Sequence, residues 1–313
     1  MKQLRYDEYG GVDRMYLAEI ETPEPGPDEV LIEVKAAGIN PVDWKIRNAQ
    51  MKLADGHEWP RKMGLEFAGI IRRVGEAVTN VEPGEEVFGA TDLKTMGAMA
   101  DFLVTKVDRI HAKPPSLTMS EAAGLPLVGT TAYQAVREKS DVRGRRVLIY
   151  GGSGGVGNVA IQLARMDNAL VTAVAGPHHQ DIMRSFGANR TVNYEETDVT
   201  KEEVKYDLIV DASGKLPWSE AKPILSDHGK YVNLQPGLTS FIGSYLNNKL
   251  RDKKHLPMLA EITHHHLHRL YDLVETHGLR IRVGHEYALM DYRNAYRELE
   301  EGSGPAGKAV FLP

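Results

Sequence analysis

The stretch from Tyr150 to Arg165 restricts the fold of this chain more than any other. Arg146 to Tyr150 is a short apolar run of strand type, and it opens directly onto Gly151-Gly-Ser-Gly-Gly-Val-Gly157. Gly152, Gly154 and Gly157 have the G-x-G-x-x-G spacing, and Gly151, Gly154 and Gly157 recur every third residue, with Ser153, Gly155 and Val156 between them. Val156, Val159, Ala160, Leu163 and Ala164 then repeat at helical spacing. Glycines permit a tight turn and close approach of backbone to a ligand, and the helix that follows presents free N–H groups at its start. Strand, glycine turn and helix in that order predict a pyrophosphate-binding βαβ unit.

The segments after this unit keep its rhythm. Leu170 to Val174, Arg190 to Tyr194, Asp207 to Asp211 and Lys230 to Leu234 read as strands, and His179 to Phe186 and Trp218 to Leu225 as helices. Alternating β and α elements of this length predict an α/β fold with a doubly wound parallel sheet, its ligand contacts at the strand C-terminal ends. Residues 1 to about 118 differ. Val30 to Ala36, Gly69 to Val74, Glu86 to Gly89 and Ala100 to Thr105 are short strand candidates separated by Gly and Pro, the pattern of a compact β-barrel. Thr118-Met-Ser-Glu121 has the form of a helix start, and Thr130 to Lys139 reads as helix. Towards the end, Leu256 to His277 reads as one helix, Arg280 to Gly284 as a strand, Asp291 to Glu300 as a helix and Lys308 to Leu312 as a strand.

Composition excludes several functions. The 313 residues are enough for two domains, and 38 basic against 43 acidic side chains leave a net charge of −5, which argues against nucleic-acid binding. No apolar run reaches the roughly 18 residues of a membrane-spanning helix, and the first residues contain no apolar signal core. The expected location is therefore the cytoplasm. There is no cysteine, which removes disulfides, thiolate nucleophiles and cysteine-ligated zinc together.

Further motifs occur in a fixed order: Pro25-Gly-Pro-Asp-Glu-Val-Leu-Ile-Glu-Val34, Ala37-Gly-Ile-Asn-Pro-Val-Asp43, Gly64-Leu-Glu-Phe-Ala-Gly69, Pro83-Gly-Glu-Glu-Val-Phe-Gly89, Leu125-Pro-Leu-Val-Gly-Thr-Thr-Ala-Tyr133, the glycine loop, and Gly307-Lys308. Together they resemble the medium-chain dehydrogenase/reductase superfamily, and within it the zinc-independent quinone oxidoreductase branch. The resemblance implies a GroES-like β-barrel catalytic domain over residues 1–118, a Rossmann domain over 119–257, and a segment, 258–313, that returns to the catalytic domain. Zinc-dependent relatives carry a cysteine where this chain has Asn40 and a histidine where it has Leu65. No metal site is expected, and reduction of an already electrophilic acceptor is expected rather than alcohol oxidation.

By the same resemblance the cofactor is NADPH. Ala175 stands where relatives that prefer NAD have an acid for the ribose 2′-OH, and Tyr194 matches a cofactor-binding tyrosine after the third strand. The relatives' lysine falls near His179, so His178, His179, Arg184 and Arg190 are the candidates for the 2′-phosphate. Other implied contacts are Thr130 and Thr131 at a helix start, Ala212 and Ser213 after one strand, Leu234 and Gln235 after the next, and Lys308 in the tail. On the catalytic side, Asn40 would lie beside the nicotinamide and donate to a substrate oxygen. Asp43 would order that loop, and Lys45 would be a cationic stabiliser or an exposed lysine. Glu66 would be structural.

The expected activity is NADPH-dependent hydride transfer to a quinone or an α,β-unsaturated carbonyl. Two alternatives stay open. One is an enoyl-thioester reductase, although no tyrosine proton donor lies between Asn48 and Pro60; the other is a non-catalytic NADPH-binding protein. A homodimer through a Rossmann sheet edge near Phe241 to Leu246 is a family expectation. His264, His265, His266 and His268 read as a solvated helix face.

Overall fold

The computed structural model describes residues 1–51, 59–302 and 304–313. The chain divides into two compact units, Met1–Leu127 with Ile262–Pro313, and Val128–Glu261.

The first unit opens with β1 (Lys2–Tyr6), β2 (Met15–Glu19), β3 (Glu29–Ile39), α1 (Pro41–Arg47), β4 (Arg61–Lys62), β5 (Glu66–Val74), β6 (Glu86–Ala90), β7 (Phe102–Lys106), β8 (Ile110–Ala112) and α2 (Met119–Ala123). The second contains most of α3 (Pro126–Tyr133), then β9 (Arg146–Tyr150), α4 (Gly155–Met166), β10 (Leu170–Ala175), α5 (Gln180–Ser185), β11 (Arg190–Asn193), β12 (Tyr206–Asp211), α6 (Trp218–Ala221), β13 (Leu225–Asn233), α7 (Leu238–Leu250) and β14 (Lys254–Pro257). The chain re-enters the first unit with α8 (His264–His277), β15 (Val283–Ala288), α9 (Tyr292–Glu300) and β16 (Lys308–Leu312). Among the described residues no helix is long and apolar enough to cross a membrane.

β3 organises the first unit. Its order in the main sheet is β15-β16-β3-β5-β6-β8, and β7 pairs with its first half. Pairing covers both of its edges, and eight of its eleven residues are buried; only Glu29, Glu33 and Lys35 remain partly exposed. Ala309 pairs with Ile39 across β16 and β3, and Gly38 pairs with Glu66 across β3 and β5. Phe67 and Phe311 are fully buried on one face of this sheet and Phe88 on the other, each contributing about 1.5–3 kcal/mol by leaving water. α2 begins at the Thr118–Glu121 capping box and packs on β3 and β5. For that reason the compact unit runs to Leu127, past the boundary expected at residue 118.

The second unit is a six-stranded parallel sheet in the order β11-β10-β9-β12-β13-β14. Chain order reverses between β9 and β12, so the loops leaving these neighbours lie side by side, the position at which open α/β sheets bind ligands. One reading of the sequence is corrected here. Leu256 to His277 is not one helix: Lys254–Pro257 pairs with Lys230–Asn233 as the sixth strand, and α8 starts only after Thr263, whose hydroxyl caps it. Phe241 to Leu246 lies in α7, which packs against β14, one of the two edge strands of this sheet. A four-residue strand carries too little periodicity to be told from a helix by pattern.

Candidate functional site

In the first unit the site is built where three adjacent strands end together. Asn40 follows β3, Glu66 opens β5 and Lys308 opens β16; their exposures are 2%, 0% and 4%. The Lys308 ammonium donates to Ile39 O at 2.7 Å, Asn40 Oδ1 at 2.6 Å and Glu66 Oε1 at 2.6 Å. Asn40 Nδ2 donates to the same Glu66 oxygen at 2.7 Å, and the Leu127 N–H donates to Glu66 Oε2 at 2.7 Å. Gly38 makes this possible, since a Cβ there would stand 2.3 Å from Glu66 Oε1.

Asp43 joins the cluster from α1. Its Oδ2 accepts from the Asn40 N–H at 2.8 Å, which closes the first turn of the helix at its Asn40-Pro41 start. Oδ1 is buried with no hydrogen-bond partner among the described residues. Burial pushes the Asp43 carboxyl up to about 7, against the opposing pull of the Asn40 N–H and Lys308; Glu66 adds to the rise and Arg47 opposes it. One helical turn later, Arg47 is fully buried, bonded to Gly10 O at 2.9 Å and Glu300 Oε1 at 2.5 Å. Lys45 is half-buried, and burial lowers its ammonium pKa.

In the second unit the glycine loop has a steric reason for Gly151, Gly152 and Gly157. At Gly157 a Cβ would come within 2.1 Å of Gly151 O, and at Gly152 within 2.8 Å of Met183 Sδ. Gly151 has φ +88° and lies against Ser213. Gly154 is different: a Cβ there would meet only Gly151 O, at 3.6 Å, so its openness faces outward. Gly154 caps α4 without a side chain, and the first N–H groups of α4, at Gly155, Val156 and Gly157, have no partner within the helix. Ser153 is half-buried in the same turn. Asn158 braces the turn by donating to Gly154 O at 3.0 Å.

The neighbouring strand ends supply the other expected contacts. Ala175 ends β10, buried, and the Tyr194 N–H donates to its carbonyl at 3.2 Å. The Tyr194 ring is half exposed and lies beside Gly176, where a Cβ would be 3.4 Å from the hydroxyl. His178 is exposed and His179 half-buried. Arg184 pairs with Asp181 and Arg190 with Glu202, so both arginines are already engaged. After β12, Asp211 is buried and gathers the turn: its carboxylate accepts from Ser213 N–H and hydroxyl, Gly214 N–H, Leu216 N–H and the Tyr231 hydroxyl. Ala212 donates to Tyr150 O at 2.9 Å, tying this turn to the glycine loop. Leu234 donates to Asp211 O, and the Gln235 side chain to Ser213 O at 3.2 Å. Thr130 and Thr131 lie in the second half of α3 rather than at its start. Thr130 is fully buried, and its hydroxyl has no partner among the described residues.

A nicotinamide dinucleotide fits this second-unit surface. Open space at Gly154, unpartnered helix N–H groups and the orphaned Thr130 hydroxyl are what a bound phosphate chain and amide would satisfy. The histidines of α8 belong elsewhere: His264 and His268 are exposed beside His111 of β8, and only His266 turns inward, to Thr263.

Residues 26–115 match the family model of an alcohol dehydrogenase GroES-like domain, and residues 186–310 that of a zinc-binding dehydrogenase. A chloroplastic quinone-oxidoreductase homolog of Spinacia oleracea is 31% identical over all of this chain and 98% of its own length. A chloroplastic NADPH-dependent alkenal/one oxidoreductase of Arabidopsis thaliana is 33% identical over 76% of this chain and 64% of its own. The solved quinone oxidoreductase of Coxiella burnetii superposes with a TM-score of 0.90, at 29% identity, covering 100% of this chain and 99% of the other.

The zinc in the second family description does not fit the residues present. An amide, an alkyl side chain and a carboxylate already bonded to an ammonium stand at Asn40, Leu65 and Glu66. Among the described residues no group of three or more His, Cys, Asp or Glu is arranged to hold a metal ion. The expected cytoplasmic location is corrected by these relatives, both of which are chloroplastic by name. The missing apolar signal core spoke only against secretion and did not distinguish cytoplasm from organelle. By full-length similarity, shared fold and the glycine loop, the chain belongs to the medium-chain dehydrogenase/reductase superfamily, in its quinone-oxidoreductase-like branch, and is an NAD(P)H-dependent oxidoreductase.

Proposed function

We propose that this chain uses NADPH, without a bound zinc ion, to reduce a quinone or an α,β-unsaturated carbonyl. The observation that carries the reading is the Asn40–Glu66–Lys308 cluster: a polar site of amide, carboxylate and ammonium, with no thiolate or imidazole. Such a site hydrogen-bonds and balances charge but offers no Lewis acid to ionise an alcohol. A conjugated acceptor needs none, because its electrophilic carbon is already activated.

When bound, NADPH supplies the hydride. The chain's residues bind and orient. The N–H groups of Gly155, Val156 and Gly157 would hold the pyrophosphate, and the Thr130 hydroxyl would gain its missing partner. Preference for NADPH is supported by Ala175, which leaves no carboxylate at the end of β10 to repel a 2′-phosphate. His179 and Tyr194 are the residues assigned to that phosphate, since Arg184 and Arg190 are already paired. The Arabidopsis relative named above is NADPH-dependent and acts on alkenals and alkenones, which favours the same acceptor class. Asn40 Nδ2 donates to Glu66 Oε1 at 2.7 Å and, weakly, to Gly38 O at 3.5 Å; the weak second bond is the one that a substrate oxygen gaining charge during transfer would replace.

The test is oxidation of NADPH and NADH followed by absorbance with a panel of quinones, enones and enoyl thioesters, before and after exhaustive chelation. Turnover of a quinone or enone with NADPH, unchanged by chelation, is expected. Tight NADPH binding with no turnover on any acceptor would favour the non-catalytic alternative, and activity restored only by added zinc would overturn the metal-free reading.

A further inference from the structure

We infer that Lys308 is a positioning residue, which sets the orientation of the Asn40 carboxamide and balances the buried charge of Glu66, and that it makes no contact with the cofactor. The inference rests on the reading of Asn40 as the donor to the reacting oxygen. It replaces the tail-to-cofactor contact implied by family resemblance.

The first argument is a count of donors. An ammonium has three N–H groups, and Lys308 has three acceptors at 2.6–2.7 Å: Ile39 O, Asn40 Oδ1 and Glu66 Oε1. Its side chain is 4% exposed. No N–H remains for a phosphate.

The second argument concerns Asn40. A carboxamide can face its neighbours in two ways that differ only by exchange of O and N. An ammonium accepts nothing and an ionised carboxylate donates nothing, so with Lys308 on one side and Glu66 on the other only one way is allowed. Oδ1 must face Lys308 and Nδ2 must face Glu66, which is the arrangement found. The charge pair therefore selects the orientation, and with it the direction of the second N–H, which makes only a weak bond to Gly38 O. Strand register builds the pair: Lys308 and Glu66 come from β16 and β5, on opposite sides of β3, and Gly38 leaves the space between them clear.

The variants that separate this role from its rivals are Lys308→Met, Lys308→Arg and the double variant Lys308→Met with Glu66→Gln. The single Met variant leaves Glu66 buried without a counter-ion and can fail to fold. The double variant removes both charges and still offers an amide at residue 66 to bond the Asn40 carboxamide, but an amide both donates and accepts, so it no longer fixes which way that carboxamide faces. It is expected to melt within a few degrees of the wild type, to bind NADPH within about threefold, and to lose about 10- to 100-fold in kcat. Lys308→Arg, keeping charge and donors, is expected to retain more kcat than the double variant.

The side-chain ¹H–¹⁵N resonances of Asn40 supply a readout that needs no turnover. They are expected to move in the double variant and to stay near the wild-type positions in Lys308→Arg. Full wild-type kcat in the double variant, unmoved Asn40 resonances, or NADPH affinity lowered tenfold with kcat intact would each overturn the inference; the last would restore Lys308 as a cofactor contact. If the wild type turns over no acceptor, the functional reading fails by itself, and the NADPH affinity and Asn40 resonances still decide the role of Lys308.

Discussion

Replacing Asp43 with asparagine tests the electrostatics of the first-unit cluster most directly. The carboxyl is completely buried, Oδ1 has no partner among the described residues, and burial moves its pKa from 3.8 to about 7. A carboxylate with a raised folded pKa favours its neutral form, so its contribution to stability is fully present below the unfolded value and is lost as pH rises through the folded one. The window is therefore pH 4 to 7. At about 1.4 kcal/mol per pH unit the full loss is about 4 kcal/mol, of which about 2–3 kcal/mol falls between pH 5 and pH 8. Asparagine cannot ionise, so D43N is expected to gain that amount relative to the wild type over the same interval. Urea unfolding of both proteins at several pH values measures the difference from the midpoints and a shared slope. A difference that stays flat from pH 5 to pH 8 would refute the argument and mean that Asp43 is ionised and compensated throughout.

The remaining predictions concern the second unit. Gly157→Ala puts a methyl 2.1 Å from Gly151 O, so it should destabilise the fold by about 2 kcal/mol or more and abolish NADPH binding, as read by thermal melting and titration. Gly154→Ala meets only one atom, at 3.6 Å, so it should leave the melting temperature nearly unchanged while weakening NADPH binding about tenfold or more; equal loss of stability in both variants would contradict the steric account. Thr130→Ala removes an orphaned hydroxyl, and is expected to keep or slightly raise stability without cofactor, by up to about 1 kcal/mol, while weakening NADPH binding. His179→Ala is expected to weaken NADPH several-fold, roughly 3–10, with NADH unaffected; equal effects on the two cofactors would remove His179 from the 2′-phosphate site.

Much of the fold was legible in advance because its signals are local. Thr118-Met-Ser-Glu121 announced α2, and the capping box is there. The start of α1 carried an equally local signal, Asn40-Pro41 with Asp43 at the third helical position, which pattern reading passed over. The sequence pattern runs Leu256 and Pro257 into the following helix, because only pairing to β13 makes Lys254–Pro257 a strand. The role of Asp211 was also hidden: five donors reach its carboxylate from a turn whose shape cannot be read from residue types.

The sequence by itself determined the nucleotide loop. Its strand, glycines and helix are contiguous, and backbone freedom at Gly151, Gly152 and Gly157 is a property of those residues wherever they stand. It determined as well that Asn40 and Leu65, in a chain without cysteine, offer no zinc ligands. Only the tertiary structure decided what Lys308 does. It lies 268 residues from Asn40, which itself lies 26 from Glu66, and nothing in their spacing relates the three. They meet because β16, β3 and β5 are neighbours in register, and a sheet brings together side chains that the chain keeps far apart.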